Sequence, residues 1–327
     1  MSEITLIEAI TQGLHYEMQK DPSVVILGED IGKNGGVFRA TLGLLDTFGS
    51  DRVMDTPLAE SMIAGAAIGM AAQGLKTIAE FQFVGFIHSA LDQLCSHAAR
   101  MRNRTRGRLT CPVVIRAPYG GGIHAPEHHS ESPEALFAHV PGLKVVIPSS
   151  PARAYGLLLA AIRDPDPVVY LEPSRIYRLV KQAVPDDGVA LPIGQCFISR
   201  EGSDVTLISW GAALYETNKA AEQLAQQGIS AEVVDVATIS PLDMATLLNS
   251  VQKTGRCVII HEAPRQAGFG AEIAANLQEQ ALLSLLAPVQ RVAGYDITMP
   301  YPRMEDRYLP TEKRIIDAVL TTLDYTH

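Results

Sequence analysis

The stretch DTPLAESMIAGAAIGMAAQG, residues 55–74, decides the fold class and contains the residue on which the functional argument depends. Pro57 ends an incoming strand, and the run Met62–Ala72 has no charged side chain, so the sequence predicts a helix buried on most of its circumference. Glu60 stands at the start of that helix. The helix dipole favours its ionised form and burial favours its protonated form, so a bound group could tune its protonation. The simpler alternative is that Asp55 and Glu60 only cap the helix.

Length and charge restrict the class of protein. The 327 residues are 47% hydrophobic, which allows large buried cores, and about two domains are expected at roughly 150 residues each. A net charge of −9 argues against nucleic acid or an anionic membrane as a partner, because such binding needs many unpaired Lys and Arg side chains. Arginines alternate through RMRNRTRGR, residues 100–108, but they fall on no single helix face, which favours an interface or a solvated helix end.

The cysteines and the first residues indicate the compartment. The cysteines form no CxxC pair and lie far apart, at Cys95, Cys111, Cys196 and Cys257. This distribution suggests neither zinc nor an iron–sulfur cluster and fits a reducing compartment. Thr5 and Glu8 form a capping-box pattern in MSEITLIEAI, which opens a helix and does not resemble a signal or transit sequence, so we expect none. Because no uncharged apolar run reaches the ~20 residues that cross a bilayer, we expect a cytoplasmic protein, in which Gly65 and Gly69 pack closely within a soluble core.

Strands and helices alternate along the chain. Runs rich in β-branched residues predict strands at 24–30, 75–81, 111–118, 143–148, 167–173, 204–211, 231–238 and 256–263. Amphipathic patterns predict helices at 86–102, 151–163, 213–227, 241–253, 270–282 and 311–323. Because the apolar runs are continuous, we expect an α/β protein with two parallel-sheet domains, 1–178 and 204–327, joined by a Pro- and Gly-rich linker at 179–203.

A glycine- and histidine-rich loop, APYGGGIHAPEHHSES at 117–132, follows a predicted strand, where open α/β sheets bind ligands. His124, His128 and His129 lack the spacing of a zinc site, so an ordinary hydrogen-bonding role is the alternative to catalysis. Neither GGGIHA nor GFGAEI completes the motif GxGxxG, and the hydrolase and phosphate-binding motifs are absent. A nicotinamide or flavin oxidoreductase is therefore disfavoured.

Six ordered segments resemble one enzyme family over nearly the whole chain. They are LGEDIGKNGGVFRAT, DRVMDTPLAES, IAEFQFVGFIHSALDQ, HHSESPEALFAHVPGLKVVIPSSP, EGSDVTLISWG and KTGRCVIIHEAP. The family comprises the beta subunits of the thiamine-dependent decarboxylase component of 2-oxo-acid dehydrogenase complexes. The resemblance implies a transketolase-like pyrimidine-binding domain followed by a transketolase C-terminal domain.

The resemblance also implies roles for individual residues. Glu60 would hydrogen-bond a ring nitrogen of the aminopyrimidine of thiamine diphosphate, and the shared proton would promote the cofactor's nucleophilic form. His129 would handle protons and position the lipoyl group that accepts the acyl product. The pyrimidine end of the cofactor would be lined by Glu29, Leu58, Ala59, Gln82 and Phe86. The substrate would lie near Phe86, Ile87, His88 and Ser89. Core packing is the alternative for Phe86.

Metal ions and partners follow from the same resemblance. It implies a structural potassium ion held mainly by carbonyl groups of Val113, Ala161, Ile162, Asp164 and Asp166, although a solvated loop explains the DPD turn equally well. The GDG segment with which thiamine enzymes bind magnesium and the diphosphate is absent. We therefore expect an alpha subunit to supply magnesium in an alpha-two beta-two assembly with active sites at the subunit boundary. The second domain would dock a dihydrolipoyl acyltransferase core.

The sequence leaves the substrate open between pyruvate and a branched-chain 2-oxo acid such as 2-oxoisovalerate. HSxSPEA and HEAP resemble branched-chain enzymes, whereas GGVFRAT and DTPLAES are shared with bacterial pyruvate enzymes. One or two methylene groups change binding by only ~1–3 kcal/mol, and His88 and Ser89 depart from the residues usual in relatives. A catalytically silent scaffold subunit and a subunit of an acetoin dehydrogenase are the remaining alternatives.

Overall fold

The computed structural model describes residues 3–326, and contacts divide them into two units. The first unit runs to Tyr119 and resumes over Leu136–Ile193. The second combines Gly120–Ala135 with the residues from Gly194 onward. The histidine-rich loop therefore belongs by its contacts to the second unit, although it lies in the middle of the first in sequence.

The first unit is built on a parallel sheet. Its strands are β1 (Glu3–Thr5), β2 (Val24–Gly28), β3 (Val53–Asp55), β4 (Lys76–Glu80), β5 (Val113–Tyr119), β6 (Lys144–Val146), β7 (Val168–Pro173) and β8 (Lys181–Ala183). Six of them run parallel in the order β6-β7-β5-β4-β2-β3. Every residue of β2, β5 and β7 is buried, as expected for strands covered on both faces. Strands β1 and β8 form a separate antiparallel ribbon, so part of the predicted linker is a strand.

Helices of the first unit begin largely where the sequence signals indicate. They are α1 (Leu6–Lys20), α2 (Leu44–Phe48), α3 (Glu60–Ala72), α4 (Met101–Arg104), α5 (Glu134–Ala138, at the boundary with the second unit) and α6 (Pro151–Arg163). Thr5 and Glu8 form the predicted capping box of α1, and Ser150 caps α6. The helix predicted at 86–102 consists instead of a 3₁₀ segment (Val84–Ala90), a π segment (Gln93–Ala98) and α4.

The second unit has a sheet of its own. Its strands are β9 (Phe197–Arg200), β10 (Val205–Ser209), β11 (Ala231–Asp235), β12 (Thr238–Ser240), β13 (Cys257–Pro264) and β14 (Gln290–Gly294). Five of these strands, all but β12, form the sheet in the order β14-β13-β10-β11-β9, parallel except for β9 at one edge. The helices are α7 (Ala213–Gln226), α8 (Met244–Thr254), α9 (Phe269–Ala281), α10 (Pro302–Tyr308) and α11 (Glu312–Leu323). The predicted α/β class with two mainly parallel sheets is confirmed.

The parallel order of the first sheet brings the candidate residues to one edge. Glu29 directly follows β2, Glu60 lies five residues after β3, and Gln82 lies two residues after β4. Strands β3, β2 and β4 are neighbours and point the same way, so their carboxyl ends share an edge.

Within residues 3–326, no helix combines the length and the apolar character that crossing a membrane requires.

Candidate active site

Glu60 is the first residue of α3 and is half-buried. The N-cap is Ala59, whose methyl group accepts no hydrogen bond from the helix. Asp55 does not cap the helix either, because its carboxylate accepts hydrogen bonds from a different loop. The simple capping role considered for Asp55 is therefore wrong. Glu60 retains the favourable interaction of an anion with a helix N-terminus.

One face of α3 packs inside the first unit and the other is open to solvent. Its buried residues are Ile63, Ala64, Ala67, Ile68 and Ala71. Met62 is 43% exposed, and a Cβ placed on Gly69 would meet no atom within 4 Å. Burial of most of the helix circumference, and close packing of Gly69 inside the core, are thus wrong predictions for this chain. Gly65 does pack closely, because a Cβ placed there would lie 3.5 Å from Gln93 Oε1. An exposed apolar helix face of this kind is typical of an interaction surface.

A second carboxyl group lies close to Glu60. Burial raises the pKa of Glu29, and the nearby carboxylates of Asp30 and Glu60 raise it further. The loop that carries Glu29 and Asp30 is tied to the end of β3, because Asp55 Oδ1 accepts a hydrogen bond from Gly32 N at 2.6 Å and Oδ2 accepts one from Lys33 N at 3.3 Å. This part of the site therefore offers two neighbouring carboxyl groups, one of which holds a proton more readily than usual.

The segment after β4 is less uniform than the sequence suggested. Gln82 and Phe86 are half-buried, and the rings of Phe83 and Phe86 meet edge to face at 6.3 Å. Ile87 is completely buried, so its side chain belongs to the core of the unit. His88 and Ser89 are exposed, and the assignment of this segment to the substrate stays a prediction.

Sequence reasoning missed a buried ionic network directly beneath this edge. Arg116 in β5 is 1% exposed and donates to Glu80 Oε2 at 2.7 Å and to Glu172 at 2.6 and 3.1 Å. Tyr177 Oη donates to Glu172 Oε2 at 2.6 Å. Burial raises the pKa of Glu80 against the lowering effect of Arg116. The signal was a single charged residue within each apolar strand, IAEF, VVIRAP and VVYLEP.

The residues proposed for potassium lie together at the end of α6 and the start of β5 and β7. Their two carboxylates already have cationic partners. Lys144 Nζ donates to Asp164 Oδ2 at 2.5 Å, and Arg102 Nε donates to Asp166 Oδ1 at 2.7 Å. The Ala161 carbonyl accepts a hydrogen bond from Asp164 N at 3.3 Å. A monovalent ion would therefore depend on carbonyl oxygens, and within residues 3–326 no group of three or more His, Cys, Asp or Glu side chains could hold a metal.

The histidine-rich loop is described with the second unit. His129 ends a 3₁₀ turn, Glu127–His129, and is half-buried, with its N–H bonded to the Pro126 carbonyl at 2.9 Å. His124 is exposed and has a φ of +58°, while His128 Nδ1 lies 3.8 Å from Glu131 Oε1. The three imidazoles thus stand in different environments: His124 lies outside the 3₁₀ turn, whereas His128 and His129 both lie within it.

Comparison with known proteins identifies the family. Residues 2–180 match the transketolase pyrimidine-binding domain, and residues 194–315 match the transketolase C-terminal domain. The chain is 48% identical to the pyruvate dehydrogenase E1 component subunit beta of Bacillus subtilis over 325 residues, covering 99% of this chain and 100% of that protein. It is 51% identical to the corresponding subunit of Acholeplasma laidlawii, with 96% of each chain covered.

The chain belongs to the family of E1 beta subunits of pyruvate dehydrogenase. This confirms the resemblance carried by the six segments and places the chain, at a coarse level, among oxidoreductase subunits of 2-oxo-acid dehydrogenases. Among solved structures, this chain superimposes on a protein described as a split-gene transketolase, an inactive beta4 tetramer, with a TM-score of 0.82. That match covers 98% of this chain and 99% of the other at 24% identity, and it supports the fold alone.

Proposed function

We propose that this E1 beta subunit takes part in the thiamine diphosphate-dependent oxidative decarboxylation of a 2-oxo acid, with transfer of the acyl group to a lipoyl group. Pyruvate is the first candidate substrate, because the similar proteins from Bacillus subtilis and Acholeplasma laidlawii bear that name. A branched-chain 2-oxo acid is the second. The observation that carries the proposal is the placement of Glu60 at the start of α3, beside Glu29.

The residues at this edge fit the aminopyrimidine of thiamine diphosphate. Leu58 exposes 67% of its surface, although it is apolar, and so offers a face for a flat ring. Glu60 offers a carboxylate for a ring nitrogen, and the raised pKa of Glu29 provides a neighbouring carboxyl group that keeps a proton more readily. Gln82, half-buried after β4, adds an amide that can donate or accept. The donor and acceptor set therefore matches a polar heteroaromatic ring.

Thiamine diphosphate supplies, when bound, the electron sink that makes loss of carbon dioxide from a 2-oxo acid possible. Glu60 would hold a proton at its carboxylate towards the bound ring, and general acid–base help of this type contributes about 10²- to 10⁴-fold in rate. The hydrogen bonds that Asp55 accepts from Gly32 N and Lys33 N hold the loop that carries Glu29. His129 moves protons at the acyl-transfer step and positions the lipoyl group.

The proposal includes an alpha subunit, in an alpha-two beta-two assembly, that holds magnesium and the diphosphate. One feature of the chain supports a partner at the Glu60 edge. The apolar outer face of α3, marked by Met62 and Gly69, is exposed, and so is Leu58. We further propose that the second unit docks the dihydrolipoyl acyltransferase core and that the protein works in the cytoplasm.

A potassium ion near Asp164 completes the proposal. Lys144 and Arg102 balance the charges of Asp164 and Asp166, so the ion would be held by carbonyl oxygens of this turn and of α6. Its role would be structural, because the turn joins α6 to β7 within the first unit.

Co-expression with the alpha subunit and assay with an artificial electron acceptor test the proposal. Pyruvate, 2-oxoisovalerate, 2-oxobutyrate and acetoin are compared as substrates, so that the acetoin dehydrogenase alternative is tested directly. The Glu60→Gln complex should lose about 10²- to 10⁴-fold in kcat. Glu272→Gln is the matched control, because Glu272 is also a first-turn glutamate, of α9, and is exposed. Full activity of the Glu60→Gln complex would favour the silent scaffold subunit.

A further inference from the structure

Two buried glutamates of the second unit bind the backbone of the histidine loop, defined here as residues 120–135. Glu305 Oε1 accepts a hydrogen bond from Gly122 N at 2.6 Å, and its Oε2 accepts one from His124 N at 3.1 Å. Glu262 Oε2 accepts a hydrogen bond from Gly121 N at 3.2 Å. Glu305 is 1% exposed and Glu262 is 3% exposed. Three amide groups of the loop are therefore held by two carboxylates that are almost fully removed from water.

Gly120 allows the close approach of Glu262 to the loop. A Cβ on Gly120 would lie 2.7 Å from Glu262 Oε2, and Gly120 has a φ of +82°. A Cβ on Gly121 would lie 2.6 Å from the Met299 side chain. The Gly120–Gly122 sequence thus allows carboxylates rather than a phosphate to approach the backbone, since the N–H groups of Gly121 and Gly122 are already used.

The other end of the loop is fixed by a third buried carboxylate. Glu134, fully buried, accepts a hydrogen bond from Trp210 Nε1 at 3.1 Å. Trp210 stacks on His261 with ring centroids 5.2 Å apart. Burial lowers the pKa of His261 to about 4, with a smaller contribution from Arg291, so this imidazole is neutral at physiological pH and packs as a flat ring. His129 therefore lies between two points of the loop that hydrogen bonds to buried carboxylates hold in place, residues 121–124 and Glu134.

We propose that Glu305 and Glu262 are positioning residues that hold the histidine loop in the conformation His129 needs for acyl transfer. Hydrogen bonds from backbone N–H groups to ionised carboxylates are roughly twice as strong as those between neutral groups, and they orient the chain without ordering it anew at each turnover. The 3₁₀ turn Glu127–His129 begins three residues after His124, whose amide Glu305 holds, and it contains His129. The functional part of the inference rests on the role proposed for His129.

Glu305→Gln in the assembled alpha–beta complex tests the inference. A glutamine has the same shape but only one acceptor oxygen, and its amide group faces the N–H that loses its partner. We expect backbone amides of residues 121–124 to exchange with deuterium at least about tenfold faster. We also expect kcat for lipoyl acylation to fall about tenfold while KM for the 2-oxo acid stays within about twofold. Glu201→Gln, at an exposed carboxylate paired with Lys253, is the control and should change neither quantity.

A double-mutant cycle with His129→Ala separates positioning from general damage to the fold. If Glu305 acts through His129, Glu305→Gln should add no loss of acylation to the His129→Ala complex. Equal losses in both backgrounds, or unchanged deuterium exchange, would overturn positioning by Glu305. A fully active His129→Ala complex would instead refute the role of His129, and the positioning function with it, even with faster exchange. Glu305→Asp, which keeps both acceptors, should recover part of the acylation rate, and Glu262→Gln provides the same test if Glu305→Gln does not fold.

Discussion

Replacing Arg116 with methionine removes the cation that pairs with Glu80 and Glu172 in a buried network, without changing the length of the side chain much. Arg116→Met deletes the three hydrogen bonds to Glu80 and Glu172, which measure 2.6, 2.7 and 3.1 Å. It leaves two carboxylates, 6% and 1% exposed, with no positive partner. Breaking a buried ion pair by removing one member costs about 3–5 kcal/mol, a large share of the roughly 5–15 kcal/mol that a domain has in total.

The loss should depend on pH in a direction that the structure determines. In the native chain burial already raises the pKa of Glu80 while Arg116 opposes the shift. Without Arg116 the folded-state pKa of Glu80 should rise further above its unfolded value. A carboxyl group with a raised folded pKa destabilises the protein above that pKa, and the penalty disappears when pH falls below the unfolded value. Arg116→Met should therefore lose most stability near pH 8 and recover part of it towards pH 5.

Native-state hydrogen exchange of the amides in β4, β5 and β7 measures this loss within the first unit. Arg102→Met is the control, because Arg102 pairs with Asp166 at 2.7 Å on the surface, and its effect should be much smaller and hardly dependent on pH. Arg116→Met combined with Glu80→Gln should recover part of the lost free energy. A loss below about 1 kcal/mol, or one that is equal at pH 5 and pH 8, would refute this reading of the network.

Three further predictions concern the candidate site. Gly69→Leu should leave the isolated chain as stable as before or up to about 1 kcal/mol more stable. The same substitution should weaken association with the alpha subunit at least about tenfold, measured by analytical ultracentrifugation. Unchanged association would show that the outer face of α3 is not the interface. Glu29→Gln should stabilise the chain by up to about 0.5 kcal/mol at neutral pH. It should have no such effect below pH 4, because the environment that raises the pKa of Glu29 destabilises only its ionised form. Equal gains at both pH values in denaturant titrations would contradict this. Potassium should raise the unfolding free energy by about 1–3 kcal/mol relative to choline, and identical unfolding in the two salts would remove the proposed ion.

The α/β class and most element positions follow from the sequence, because continuous apolar runs demand a sheet covered on both faces. The errors are at elements with weak local signals. Strand β3 has only three residues, and β14 begins with the polar pair Gln290–Arg291, so neither shows an apolar run. Strands β8 and β9 lie in the predicted linker, because polar edge strands look like loops in composition.

The candidate site was only partly accessible from sequence, because its supporting contacts are distant along the chain. Glu60 and His129 stood out through their neighbours and their family resemblance. Nothing near Gly122 indicates that its N–H binds Glu305, since 183 residues separate the two. Glu262 lies in an apolar strand that sequence reasoning interpreted only as part of the core. Contacts of this kind depend on how elements meet, and no periodicity encodes them.

Arg116 and the outer face of α3 show opposite ways in which a single chain can depart from the rule of apolar inside and charged outside. Arg116 is charged and buried, and its two carboxylate partners satisfy it within the first unit. The outer face of α3 is apolar and exposed, and among the described residues a Cβ placed on Gly69 would meet no atom within 4 Å outside its own helix backbone. A departure that is compensated inside the chain contributes to the fold, whereas an exposed apolar face is typical of a surface that binds another molecule. By this criterion Arg116 should matter to the isolated subunit, and Gly69 only once its partner is bound.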